Sequence, residues 1–270
     1  MLRMQLMKTS PFTPFRFVST IRWFSLPGVV QAVAFLLALL AFLPSPSRGQ
    51  ATNSAAASMS GTGYQFIVNQ QNTFAYFIND PANATVLETG MASWGPNWAW
   101  IGSPASTTAG SNGSLSISAP LTFSPSDVLT VALSASAPSK DSIVYKYTLT
   151  APKDIPITQI SLINSVKTGS WTSKVTGVTL SAGGKDTTVA SPWPDYYAAV
   201  PDVTKAVIHI PSGDIVVTLD PPLGVSFQKG SAFRFILASD MIKAGAPPIT
   251  ITYTFPQPVN FATTSGLTAP

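Results

Sequence analysis

Cysteine is absent from all 270 residues. That excludes disulfide staples, thiolate metal sites and cysteine nucleophiles together. It says little about compartment, because a domain of this size buries enough core to be stable without cross-links. Glutamate is almost absent too, since Glu88 is the only one. Charged residues make up 10% of the chain, against roughly 25% in an average soluble protein. Solvated helices need Glu, Lys and Arg on their outer faces, so long helices are excluded as the main architecture. Histidine occurs once, at His209, which rules out zinc sites built from several histidines.

Acids are missing altogether from the basic N-terminal stretch. The first fifty residues hold Arg3, Lys8, Arg16, Arg22 and Arg48 and no Asp or Glu. The remainder carries ten Lys and Arg against eleven Asp and Glu, a net charge of −1. The basic pI of 9.3 therefore belongs to the leader, and no basic stripe is left to neutralise phosphates. Nucleic acid is not an expected partner.

The one long hydrophobic run is Val29–Leu43, in which only Gln31 is polar. Its fifteen residues would span about 22 Å as a helix, short of a roughly 30 Å hydrocarbon core. Pro44 and Pro46 follow, then Gly49-Gln50-Ala51 with small residues at the −3 and −1 positions of a cut after Ala51. A basic n-region, short apolar h-region and small-x-small site are what a secretory signal requires. Residues 1–51 are thus expected to be a cleaved signal peptide, and the mature protein to be secreted or extracellular, with periplasmic and cell-surface locations compatible. The long n-region, with Pro11 and Pro14, is the feature that suits an uncleaved anchor, the only route by which the chain would touch a membrane.

Residues 52–63 are small and polar and read as a flexible lead-in. From Tyr64 the pattern is period two. Ile249, Ile251, Tyr253 and Phe255 alternate with Thr250, Thr252 and Thr254, a half-buried strand with a hydroxyl face toward water. Tyr145, Tyr147 and Leu149, and Phe233, Phe235 and Leu237, repeat the pattern. Gly183-Gly184, Pro211–Asp214 and Lys229-Gly230 fall between such runs and read as hairpin turns. The spacing predicts a single all-β domain over 64–270, an antiparallel β-sandwich of about 10–13 strands. Helix is confined to a turn or two, at Asp195–Val200 and Asp240–Ala244. An outer-membrane barrel fits less well, because prolines interrupt many of the runs.

No catalytic motif is present. His209, opposite Ala206, Ile208 and Ile210 in its strand, is the only residue on which a Ser-His-Asp triad could be built, and no G-x-S-x-G elbow accompanies it. Acid–base chemistry on sugars needs two carboxylates. Here these would come from Glu88, Asp195, Asp202, Asp214 and Asp220, and the aspartates sit beside proline or glycine or close to them, where turn hydrogen bonds claim them. Cofactors are not expected. Asp80 with Asn83 leaves a structural calcium ion open, without an EF-hand pattern. Asn83-Ala84-Thr85 and Asn112-Gly113-Ser114 match the N-glycosylation acceptor triplet, relevant in a eukaryotic source.

Aromatics carry the strongest lead. Trp94, Trp98 and Trp100 fall within seven residues interrupted by Gly95-Pro96, and Trp193, Tyr196 and Tyr197 form a second proline-flanked group. In turn-rich parts of an exported β protein such rings form stacking platforms for the C–H faces of sugars. These six residues are the expected carbohydrate-binding set. The spacing of two between Trp98 and Trp100 suits instead a strand that turns both into the core. Trp94, Trp193 and Tyr196, beside proline and glycine, suit exposure. The function that follows is a secreted, non-catalytic β-sandwich binding a polysaccharide or cell-surface glycan. The alternatives are a structural or adhesive surface protein and an aspartate-based glycoside hydrolase or lyase. N-terminal sequencing of the exported protein checks the leader. A start at Thr52 is expected, and a membrane-bound product retaining Val29–Leu43 would contradict it.

Overall fold

The computed structural model describes residues 63–69, 72–104, 113–168, 171–193, 197–228, 230 and 232–264. The leader 1–51 and the lead-in, apart from Gly63, lie outside them. The described residues form strands β1 (Tyr64–Asn69), β2 (Ala75–Asn79), β3 (Thr85–Trp94), β4 (Trp100–Gly102), β5 (Ser114–Ser124), β6 (Asp127–Ser139), β7 (Ser142–Thr150) and β8 (Ile155–Ser165). After these come β9 (Lys167–Thr168), β10 (Trp171–Thr172), β11 (Gly177–Ala182), β12 (Lys185–Ala190), β13 (Tyr197–His209), β14 (Ile215–Gln228), β15 (Ala232–Ile242), β16 (Ile249–Thr254) and β17 (Val259–Thr264). One turn of 3-10 helix, Pro96–Trp98, is the only helical element among them. The fold is all-β, as alternation predicts. Of the two expected helical turns, Tyr197–Val200 opens β13 and Asp240–Ile242 closes β15, while Asp195 and Tyr196 lie outside the described residues.

Fifteen strands form one continuous sheet in the order β17-β1-β2-β3-β8-β15-β14-β16-β7-β6-β5, with β13, β11 and β12 branching from β14 and β4 from the end of β3. Pairing is antiparallel except between β1 and β17, which run parallel from Tyr64 opposite Val259 to Asn69 opposite Thr264. The strand β14 changes partner along its length. Val216–Asp220 pairs with β16 and Gly224–Gln228 with β15, while β13 lies along the other edge with register shifts on either side of Val203. Pro221 and Pro222 sit at the change, where missing N–H groups interrupt the ladder. The sheet therefore folds over on itself into two apposed layers, nearly closed as a barrel. Its outer parts are drawn together where Val259 N–H donates to Lys140 O (2.7 Å) and the Tyr64 hydroxyl donates to Gly213 O (3.0 Å).

Period-two patterning sets the faces. In β5, Leu115, Ile117, Ala119 and Leu121 are buried while Ser114, Ser116, Ser118 and Thr122 are exposed. Apolar side chains point between the layers and hydroxyls point out, the reverse of a membrane barrel with its lipid-facing apolar band. The layers meet on aromatic rings. Phe66 stacks on Tyr76 at 4.6 Å and lies 5.2 Å from Tyr145, and Tyr76 lies 4.8 Å from Tyr145 and 6.0 Å from Tyr253. Phe66 and Tyr76 come from one layer, Tyr145 and Tyr253 from the other. The hydroxyls of Tyr76 and Tyr253 share a hydrogen bond. Those of Tyr145 and Tyr147 are buried without a partner among the described residues.

Burial pushes the Tyr76, Tyr145, Tyr147 and Tyr253 phenols well above their usual value of 10.0. A raised acid is held neutral by the fold, so the stability it contributes is complete below pH 10 and is lost as the pH climbs from there through the raised values. Every tenfold weakening of a phenol's acidity by the fold corresponds to about 1.4 kcal/mol. Melting temperature should be flat up to about pH 10 and fall steeply beyond it, with tyrosinate absorbance from these four rings appearing only together with loss of the β-type circular dichroism. Ionisation of the whole tyrosine complement in a still-folded protein would contradict the buried cluster.

Candidate functional site

Gly95-Pro96 breaks β3 after Trp94, and the chain crosses to β4 through the Pro96–Trp98 turn. Proline fixes the first residue of that turn, but Asn97 and Trp98 both take left-handed backbone, at φ 58° and 62°. This region is costly for a bulky side chain and persists only where neighbours impose it. Here Thr158 on β8 imposes it. The Trp98 N–H donates to Thr158 Oγ1 (3.2 Å), and the same hydroxyl donates to Gly95 O (2.8 Å). Gly95 N–H closes the loop onto Ala99 O at 2.8 Å.

The result places two indoles in water. Trp98 is 58% and Trp100 64% exposed, which corrects the expectation that their spacing turns them into the core. The Gly95-Pro96 break resets the period before either residue, so parity no longer reports a face. Trp94, half-buried, lies between them, edge-on to Trp98 at 5.9 Å and to Trp100 at 5.4 Å. The Arg234 guanidinium covers the Trp94 ring at 5.1 Å, a cation–π contact that holds both groups in place. Arg234 Nη2 also donates to Gln228 Oε1 (2.7 Å).

These residues wall a cleft of about 440 Å³ lined by Trp94, Trp98, Gln159, Ser226, Gln228 and Arg234, with Ala199, Phe227 and Ile236 completing it. Gln159, on β8, is steadied by a hydrogen bond to Ser161. Amide and guanidinium groups beside an exposed indole offer directional donors and acceptors next to an apolar plane, the combination a polar ring with one C–H face requires. Gln159, Ser226, Gln228 and Arg234 were not among the residues expected from sequence. They come from β8, β14 and β15, and no local motif marks them.

The second aromatic group divides. Trp193 is 2% exposed and packs on Phe227 at 5.3 Å and edge-on to Phe233 at 6.1 Å. It is core, which corrects its place in the binding set. A proline-flanked segment has room to fold inward where large aromatics leave a hole. Its ring stands one layer behind the cleft, since Phe227 lines that cleft. Tyr196 lies outside the described residues. Tyr197 opens β13 in register with Phe227.

The remaining candidates are accounted for by local geometry. His209 Nδ1 lies 3.1 Å from Asp214 Oδ1, and Nε2 lies 2.7 Å from Thr179 Oγ1. This chain of contacts runs over the outward faces of β11 and β13. Asp80 Oδ1 accepts N–H bonds from Ala82 and Ala84, both at 2.9 Å, and Lys174 Nζ approaches Oδ2 at 3.4 Å. Its oxygens serve a turn that carries Asn83, exposed at φ 62°. Asp202 and Asp220 are exposed on β13 and β14, and Glu88 is half-buried opposite Ser165. Asp195 and Asn112 lie outside the described residues. Among the described residues, no three His, Asp or Glu side chains gather as a metal site would need, and no helix is long and apolar enough to cross a membrane.

No family model matches the chain, and no characterised protein matches it in sequence. Among solved structures it is similar to the GalM/aldose epimerase homologue from C. elegans, at 8% identity and a TM-score of 0.40, over 73% of this chain and 99% of that one. A likeness of that size bears on neither family nor chemistry.

The burial of these rings predicts opposite responses to truncation. Trp193→Ala should cost about 3–5 kcal/mol in denaturant unfolding, whereas Trp98→Ala and Trp100→Ala should each stay within about 0.5 kcal/mol of wild type. The reverse ranking would contradict the placement of all three.

Proposed function

We propose that the chain is an exported, non-catalytic sugar-binding module whose site is the Trp98 cleft. One observation carries the reading. An indole stands exposed on a left-handed backbone that Thr158 clamps, directly beside Gln159, Gln228 and Arg234. A fold that only needed stability would leave such a residue relaxed or buried, so the strain is retained for what the ring does. The ring needs no reorganisation on binding, which lowers the entropy cost of capturing a flexible glycan. Trp100 extends the aromatic surface on the far side of Trp94, so a polymer has more than one plane to rest on.

Titration calorimetry and affinity electrophoresis against a panel of neutral and acidic polysaccharides test the reading. At least one polymer should bind the wild type. Trp98→Ala should weaken it by about tenfold or more, equivalent to about 1.4 kcal/mol, with unfolding unchanged. Thr158→Val, which keeps the shape and removes the clamp, should weaken it several-fold. Absence of any binding, or a Trp98→Ala variant that binds as well as wild type, would leave a structural or adhesive role in its place.

A further inference from the structure

We propose that the sugar held at the Trp98 cleft carries an apolar substituent, and that the cleft continues into a trough that buries it. The proposal rests on the carbohydrate reading and adds the class of ligand. A second cleft, of about 470 Å³, shares Ala199 and Ile236 with the first. The two are therefore halves of one trough, joined where β13, β14 and β15 run side by side.

Its chemistry changes along its length. The Trp98 half offers Gln159, Ser226, Gln228 and Arg234. The far half is lined by Pro201, Pro221, Pro222, Met241 and Pro247, with Asp202, Ser239 and Lys243 as its only polar side chains. Lys243 is already engaged by Asp154 at 2.7 Å. Apart from Asp202 and Ser239, this half offers proline rings and a thioether, which give sugar hydroxyls no partner, so a glycan lying there would lose most of its water without replacement. An alkyl or acyl chain loses nothing. The far half is also an exposed apolar surface in need of a cover, with Met241 40% exposed. Trp98 and Met241, two of the four exposed large hydrophobics among the described residues, mark the two halves.

The exposure of Met241 is built in. Along β15, Phe233, Phe235 and Leu237 face the core, so an unbroken strand would turn Met241 inward as well. Register shifts at Ile236/Ala238 and Ser239/Met241, with Asp240 left-handed at φ 62°, reverse the phase, so Met241 points out and Ile242 is buried. Opposite, β13 reverses phase through shifts on either side of Val203, with Asp202 left-handed at φ 54°. Bulges that re-aim side chains on both walls of one trough are features of a site.

Calorimetry with methyl and octyl glycosides of glucose, galactose and mannose, below micelle formation, provides the test. For a sugar that binds, the octyl form should bind at least tenfold tighter than the methyl form. Met241→Ser should return the octyl affinity to the methyl level and leave methyl binding and melting temperature unchanged, while Trp98→Ala should weaken both forms by the same factor. Equal methyl and octyl affinities, an octyl gain untouched by Met241→Ser, or an equal gain from adding sugar units in place of the alkyl chain would overturn the proposal and leave the sugar site standing. Octyl binding indifferent to Trp98→Ala, or no glycoside or polysaccharide binding at all, would overturn both.

Discussion

A proline donates no ladder hydrogen bond, and two in succession inside a fourteen-residue strand leave no way for one neighbour to pair along its whole length. In β14 this is resolved by exchanging β16 for β15 across Pro221-Pro222, while β13 on the other edge shifts register there, passing from Leu223 opposite Val203 to Thr218 opposite Lys205. Every larger feature depends on that exchange. It converts one long sheet into two layers and brings Phe66 and Tyr76 against Tyr145 and Tyr253. Pro221 and Pro222 also line the recess that becomes the far half of the trough.

The two faces of the sheet answer different demands. The inner face is rich in rings, and its cost is a set of buried phenols, two of them without partners among the described residues. The outer face is regular and hydroxylated over most of its extent. Register shifts also occur in the β2–β3, β5–β6, β6–β7 and β11–β13 pairs, but Asn97, Trp98, Asp202 and Asp240, four of the five left-handed non-glycine residues among the described ones, flank one trough. Left-handed non-glycine residues are costly, and their concentration in one place separates the trough from an ordinary surface groove.

Much of the scaffold was legible in the residues. Ile249–Thr254 shows the predicted alternation, Gly183-Gly184 and Pro211–Asp214 join the strands they were expected to join, and β14 and β15 pair antiparallel on either side of the third expected turn. The strands outnumber the expected 10–13 because two- and three-residue pieces such as β4, β9 and β10 carry no periodicity. The parallel β1–β17 pair is a tertiary fact with no local signature. Face assignment failed wherever phase was interrupted. Trp98 and Trp100 have core spacing only if no break precedes them, and Trp193 looks exposed only if a proline-flanked segment is taken to lie outside. Arg234 and Gln228 sit outward in their strands as any half-exposed residue would, and Gln159 is buried in a strand with no local motif to mark it. Their convergence depends on β3, β8, β15 and β14 lying side by side, which no single stretch of sequence declares.

The parallel pairing of the first and last strands has a kinetic consequence. Tyr64 and Val259 meet only after nearly the whole domain has been made, a contact of the highest sequence separation the domain allows, and such closures slow folding. Until β17 arrives, β1 has an open edge, and all six of its residues are buried in the finished fold. An unpaired strand whose one face is Tyr64, Phe66 and Val68 is a template for association with another chain. In the native sheet β17 acts as the cover for that edge, so the hazard of aggregation is confined to the interval before the C-terminal strand docks.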